Sequence, residues 1–202
     1  MPDEDDPKII VVNDYMEIPE IFHSDATGQP IKNCIMCGIG LGDHGTPYVI
    51  EKAFRHHKKF NQTDTLFEYA VCFDCYEKMS VSLSKDSMAK LQSFFSKHID
   101  LEQRRKTLLE KDEIEIGDWL DHCVITGKEI KECAEYQICA QCDGPHLLFT
   151  HLPFALSEEA LLEMSEQLSA KTKEELDRFQ DDFLGLPPEL KELFKDRRPV
   201  FV

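Results

Sequence analysis

The chain has 202 residues, 42% of them hydrophobic, and 39 acidic against 23 basic side chains give it a formal net charge of -16. A polyanion of this kind repels phosphate backbones, and no apolar run reaches the roughly 18 residues that a membrane span needs. The composition suits a globular protein with a sizeable core, and it favours protein partners over nucleic acid or membrane.

The opening segment, Met1 to Asp6, is acidic rather than basic and does not read as an export signal. The chain is therefore read as cytoplasmic, where thiols stay reduced and paired cysteines mark metal sites rather than disulfides.

In chain order, residues 1–30 read as an arm with one strand at Ile9–Val12, closed by the turn-like Thr27-Gly28-Gln29-Pro30. Residues 31–83 form a compact metal module. It runs from Cys34-Ile-Met-Cys37-Gly38 through a glycine-rich turn, Gly38–Gly45, to a strand at Tyr48–Lys52. A solvated basic loop, Lys52–Lys59, a strand at Glu68–Val71 and Cys72-Phe-Asp-Cys75 complete it.

Residues 84–118 read as linking helices. Met79, Leu83, Met88, Leu91, Phe94, Phe95 and Ile99 follow helical spacing, with a break in phase at Ser84. Asp100 and Gln103 have the spacing of a capping box that restarts a helix through Glu110. Residues 119–155 carry the remaining cysteines. Residues 156–202 read as a helical C-terminal region, with helix starts at Ser157, at Thr172 with Glu175, and at Pro187-Pro188.

Cys34, Cys37, Cys72 and Cys75 carry the strongest chemical signal. Each CxxC turn points two sulfurs at one ion, and two such turns close a tetrahedral shell of four thiolates around zinc. A closed shell leaves no coordination position for water, so one structural Zn2+ is expected there, supporting the fold rather than catalysis.

The two halves of the chain also resemble each other. Cys34-Ile-Met-Cys37-Gly38 parallels Cys123-Val-Ile-Thr126-Gly127, and Glu68-Tyr-Ala-Val-Cys72-Phe-Asp-Cys75 parallels Glu135-Tyr-Gln-Ile-Cys139-Ala-Gln-Cys142. By this pairing the second copy keeps Cys123, Cys139 and Cys142 but has Thr126, a poor zinc ligand, in the fourth place. Its site is expected to be empty, unless Cys133, His122 or His146 supplies the missing donor.

The first module resembles a treble-clef zinc module, and more narrowly the zinc-stabilised HNH-type nucleases. In that family a CxxCG turn, a stretch of the type His-Ile-Ile-Pro-Lys-Ala and a closing CxxCN recur in order. Here Cys34-Ile-Met-Cys37-Gly38, Tyr48-Val-Ile-Glu-Lys-Ala53 and Cys72-Phe-Asp-Cys75-Tyr76 stand in those places. The resemblance implies a zinc-nucleated hairpin and helix. It also implies a catalytically inactive member, because Tyr48 replaces the water-activating histidine and Tyr76 the asparagine.

The expected architecture is α+β: two treble-clef-like modules, the second degenerate, with a helical C-terminal region. The expected role is a non-enzymatic interaction or scaffold module. The alternatives are a nuclease remnant using a second metal at His44, His56 or His57, and a zinc switch that responds to thiol oxidation.

Overall fold

The computed structural model describes residues 14–185, which form a mixed α+β arrangement of eight strands and six α-helices. The strand expected at Ile9–Val12 and the helix expected at Pro187-Pro188 lie outside the described residues. Among the described residues no helix is long and apolar enough to cross a membrane.

Six of the strands form one antiparallel sheet. Its long central members are β4 (Pro47–His57), β5 (Gln62–Cys72) and β6 (Glu135–Asp143). The short β1 (Tyr15–Glu17) and β7 (His146–Leu148) extend it in the order β1-β7-β6-β4-β5, and β8 (Phe154–Ser157) pairs with the first half of β6. A separate two-stranded hairpin comprises β2 (His23–Ser24) and β3 (Gln29–Pro30). Strands from the two cysteine regions thus lie side by side: β4 pairs with β6, with Glu51 opposite Cys139.

The basic stretch Lys52–Lys59 is not the expected solvated loop. Most of it continues β4 as far as His57, and β5 likewise starts earlier than expected, at Gln62. The stretch is accommodated within the strand because carboxylates stand beside its side chains. Arg55 Nε lies 2.8 Å from Glu135, and His57 Nε2 lies 2.9 Å from Asp64. The Lys52 side chain is only 1% exposed, with its ammonium 2.8 Å from Asp25 and 3.1 Å from Glu68. It also donates to the His23 carbonyl at 2.6 Å, so this one lysine ties the β2–β3 hairpin to the sheet.

The helices follow local capping chemistry. Helix α1 (Phe73–Ser82) gives way at Leu83 to α2 (Lys85–His98), whose N-cap Ser84 accepts from the Ser87 amide, as the break in phase indicates. Asp100 caps α3 (Leu101–Leu109) by accepting from the Gln103 amide. After the short α4 (Ile116–Leu120), Ser157 caps α5 (Glu158–Gln167). Helix α6 (Ala170–Phe179) departs from the Thr172 expectation. Its cap is Ser169, which accepts from the Thr172 amide, because Thr172 Oγ1 is occupied by the Ser84 amide of the neighbouring helix.

The turn between β6 and β7 is held against the glycine-rich loop of the first half. Asp143 accepts from the Gly45 amide at 2.8 Å, and the buried Tyr48 hydroxyl donates to the Gly144 carbonyl at 2.9 Å. Gly144 has φ +54°, and a Cβ there would stand 2.9 Å from the His44 backbone nitrogen. Gly144→Ala is therefore expected to cost about 1–3 kcal/mol, read as a lower urea midpoint with an unchanged denaturant slope.

Candidate metal centre

Three elements bring the first four cysteines together. Residues 34–38 form a tight turn in which the Gly38 amide donates to the Cys34 carbonyl at 2.8 Å and the Cys34 amide to the Ile39 carbonyl at 2.9 Å. Gly38 closes the turn at φ +75°, a conformation that glycine adopts without a Cβ penalty. The Ile35 amide then donates to the Ala70 carbonyl at 2.9 Å, which fixes the turn beside β5. Cys72 ends that strand at the N-cap position of α1, and Cys75 sits in the first helical turn.

All four Sγ atoms lie within 4.8 Å of one another. Cys37 Sγ and Cys72 Sγ are 3.7 Å apart. This spacing matches the edge of a tetrahedron with Zn–S bonds of about 2.3 Å, which is about 3.8 Å, and is far longer than a disulfide of about 2.05 Å. Cys34, Cys72 and Cys75 are buried while Cys37 is exposed.

The electrostatics of the cluster suit a cation. Burial alone would raise the Cys34 thiol, but backbone N–H groups of the Cys72, Cys37 and Met36 region outweigh it and bring the group to about 7. Burial pushes Cys72 and Cys75 up, and for Cys75 the neighbouring sulfurs push further. Four soft sulfur donors crowded around one point select a thiophilic ion such as zinc over hard cations.

The second cysteine region behaves differently. Its turn, Cys123–Gly127, repeats the first: the Gly127 amide donates to the Cys123 carbonyl at 2.8 Å and the Cys123 amide to the Lys128 carbonyl at 2.8 Å. Cys139 and Cys142 do not join it. Both lie within β6, three residues apart, so their side chains point to opposite faces of the sheet. Cys142 stands opposite Tyr48, and burial raises its thiol to about 12. Cys133 is buried elsewhere, with its Sγ 3.6 Å from the Glu129 carbonyl. Among the described residues Cys34, Cys37, Cys72 and Cys75 form the one group of three or more that could hold a metal.

The pairing of Glu135–Cys142 with Glu68–Cys75 is therefore corrected. The earlier segment runs off its strand into a helix, so that Cys72 and Cys75 converge, whereas the later one remains strand throughout.

The positions matched to nuclease residues are also on view. Tyr48 is 1% exposed and its hydroxyl is held above its ordinary pKa by burial. Burial pushes Tyr76 up to about 12. Neither is placed to act as a general base near neutral pH. His44 is exposed and stacks on His146 with ring centroids 5.1 Å apart, His56 meets Thr63 at 3.1 Å, and His57 meets Asp64. The three share no metal-binding group among the described residues. No protein-family model, curated protein or solved structure matches the chain.

Proposed function

We propose that Cys34, Cys37, Cys72 and Cys75 hold one structural zinc ion in a treble-clef unit, and that the chain acts as a non-enzymatic interaction or scaffold protein. The convergence of four sulfurs within 4.8 Å carries this reading. Four thiolates complete the shell of a tetrahedral ion, so no position remains for a water or substrate oxygen. The turn at 34–38, the β4–β5 hairpin and α1 opening at Cys72 follow one another in the treble-clef order, which supports that part of the reading.

The non-enzymatic part rests on the chemistry left over once the ion is placed. Tyr48 and Tyr76 are poor bases in the positions where a nuclease of this pattern carries its catalytic groups. With a net charge of -16, the surface suits protein partners better than phosphate backbones.

Elemental mass spectrometry of the purified protein is expected to find one zinc per chain. After exchange with Co2+, the visible spectrum is expected to show a tetrahedral thiolate site that added azide or imidazole leaves unchanged. Absence of metal overturns the zinc reading, and a spectrum that shifts on adding azide overturns the closed shell.

A further inference from the structure

The hydrogen bonds that seat the first knuckle recur in the second against a different partner from the one its cysteines suggest. The Ile35 amide donates to Ala70, two residues before Cys72. In the second turn the Val124 amide donates to Ala155, two residues before Ser157, at the same 2.9 Å. The bridge Asn33–Gly40 has its counterpart in His122–Glu129. The bond from the Leu41 amide to the Lys32 carbonyl, 2.9 Å, is matched by that from Ile130 to Asp121, 2.8 Å.

The correspondence continues through the following helices. Tyr48 pairs with Cys72 across β4–β5, and Tyr136 pairs with Ser157 across β6–β8. Cys72 and Ser157 occupy the N-cap positions of α1 and α5, and both helices have 10 residues. Each is followed by a leucine and a serine cap, Leu83-Ser84 and Leu168-Ser169. The two caps exchange bonds reciprocally: the Ser84 amide donates to Thr172 Oγ1 at 3.0 Å, and the Ser169 amide to Ser87 Oγ at 2.9 Å. In β4–β6, Tyr48 faces Cys142 while Tyr136 faces Phe54, as two copies related by a twofold axis through the Glu51–Cys139 pair require.

We infer that the second unit carries a vacated metal position whose four ligand places are Cys123, Thr126, Ser157 and Ala160, not Cys139 and Cys142. This inference takes the first quartet as the metal position, as proposed above. Thr126 Oγ1 lies 3.4 Å from Ser157 Oγ, where the first unit has Cys37 and Cys72 sulfurs 3.7 Å apart. Two hydroxyls and a methyl have replaced three thiolates, which leaves one soft donor and no zinc shell. The link from knuckle to helix is made by charge instead. Lys128, in the place of Ile39, lies 3.1 Å from Glu158 and 2.5 Å from Glu159 in the first turn of α5. A single site per chain follows, with the second unit holding its shape without an ion.

Metal content separates the two assignments. Thr126→Cys alone would complete a four-cysteine set if Cys139 and Cys142 were ligands, so it is expected to leave the zinc content at the wild-type value. Thr126→Cys/Ser157→Cys/Ala160→Cys is expected to gain one zinc per chain, and to keep that gained ion when Cys72→Ser is added. If the triple variant does not fold, Thr126→Cys/Ser157→Cys offers three thiolates, and a new Co2+–thiolate absorption is expected from it. A second ion bound by Thr126→Cys alone overturns the inference. So does a folded triple variant, shown by wild-type circular dichroism, that gains none. A wild type without zinc defeats the functional proposal, whereas the gain in the triple variant is still read against that wild type.

Discussion

With zinc bound as proposed, Cys72→Ser is expected to release it and to lower the melting temperature by about 8–16 °C. An ion present at about a thousand times its dissociation constant contributes about 4 kcal/mol, and each kcal/mol moves the melting point of a chain this size by about 2–4 °C. Cys72 is the sensitive place because it serves three purposes. It ends β5, occupies the N-cap position of α1 and stands 3.7 Å from Cys37, so its loss opens the proposed shell at the junction of strand and helix. Cys142→Ser provides the contrast. That thiol lies in mid-strand opposite Tyr48, outside the cluster, and its loss is expected to leave the zinc content unchanged. Differential scanning calorimetry beside metal analysis reads both results. Retention of zinc by Cys72→Ser would remove this residue from the shell.

The second large effect is expected at Lys52. Its buried ammonium lies between Asp25 and Glu68, and Glu68 also accepts from the Ser24 hydroxyl at 2.6 Å and the Asp25 amide at 2.9 Å. Lys52→Met leaves those carboxylates without their cation, and removing one partner of a buried pair costs about 3–5 kcal/mol. Asp25 is 56% exposed and Glu68 19%, so water takes up much of the stranded charge and the cost here is expected to be about 1–3 kcal/mol. Adding Glu68→Gln removes the stranded charge while keeping an acceptor for Ser24, so the double variant is expected to recover part of the loss. Urea unfolding of both variants measures this, and a Lys52→Met midpoint equal to wild type would show that the contact carries no stability.

The same contact predicts an acid limb. Burial alone would raise Asp25 and Glu68. Hydrogen bonds and the Lys52 charge outweigh it and hold both below their ordinary values of 3.8 and 4.5. A carboxyl with a depressed folded pKa contributes stability that is full above its unfolded value and lost as pH falls through the folded one. Stability is therefore expected to decline as the pH drops below about 4.5, and to decline less steeply in Lys52→Met.

Local chemistry was legible from the residues in order. The CxxCG turn at Cys34–Gly38 needed only short-range information, because Gly38 takes the positive φ that closes the turn without a Cβ penalty. The breaks and caps at Ser84, Asp100 and Ser157 were legible for the same reason, since a hydroxyl or carboxylate bonds an amide three residues on. Even the missed cap at Ser169 is local chemistry displaced by a neighbour, the Ser84 amide having engaged Thr172.

Strand pairing lies outside that reach. Glu135–Cys142 resembles Glu68–Cys75 letter by letter, yet a CxxC within a strand sends its two thiols to opposite faces, and only one at a strand-to-helix junction gathers them. Lys52 reads as a solvated base until the fold brings Asp25 and Glu68 to it. The sequence by itself determined the CxxC spacing of Cys34, Cys37, Cys72 and Cys75 and most helix starts, because each depends on neighbours a few residues away. Only the tertiary structure decided the long β4–β5 hairpin, the β4–β6 seam and the separation of Cys123 from Cys139 and Cys142. Those depend on which distant segments bury one another's faces and pair one another's charges.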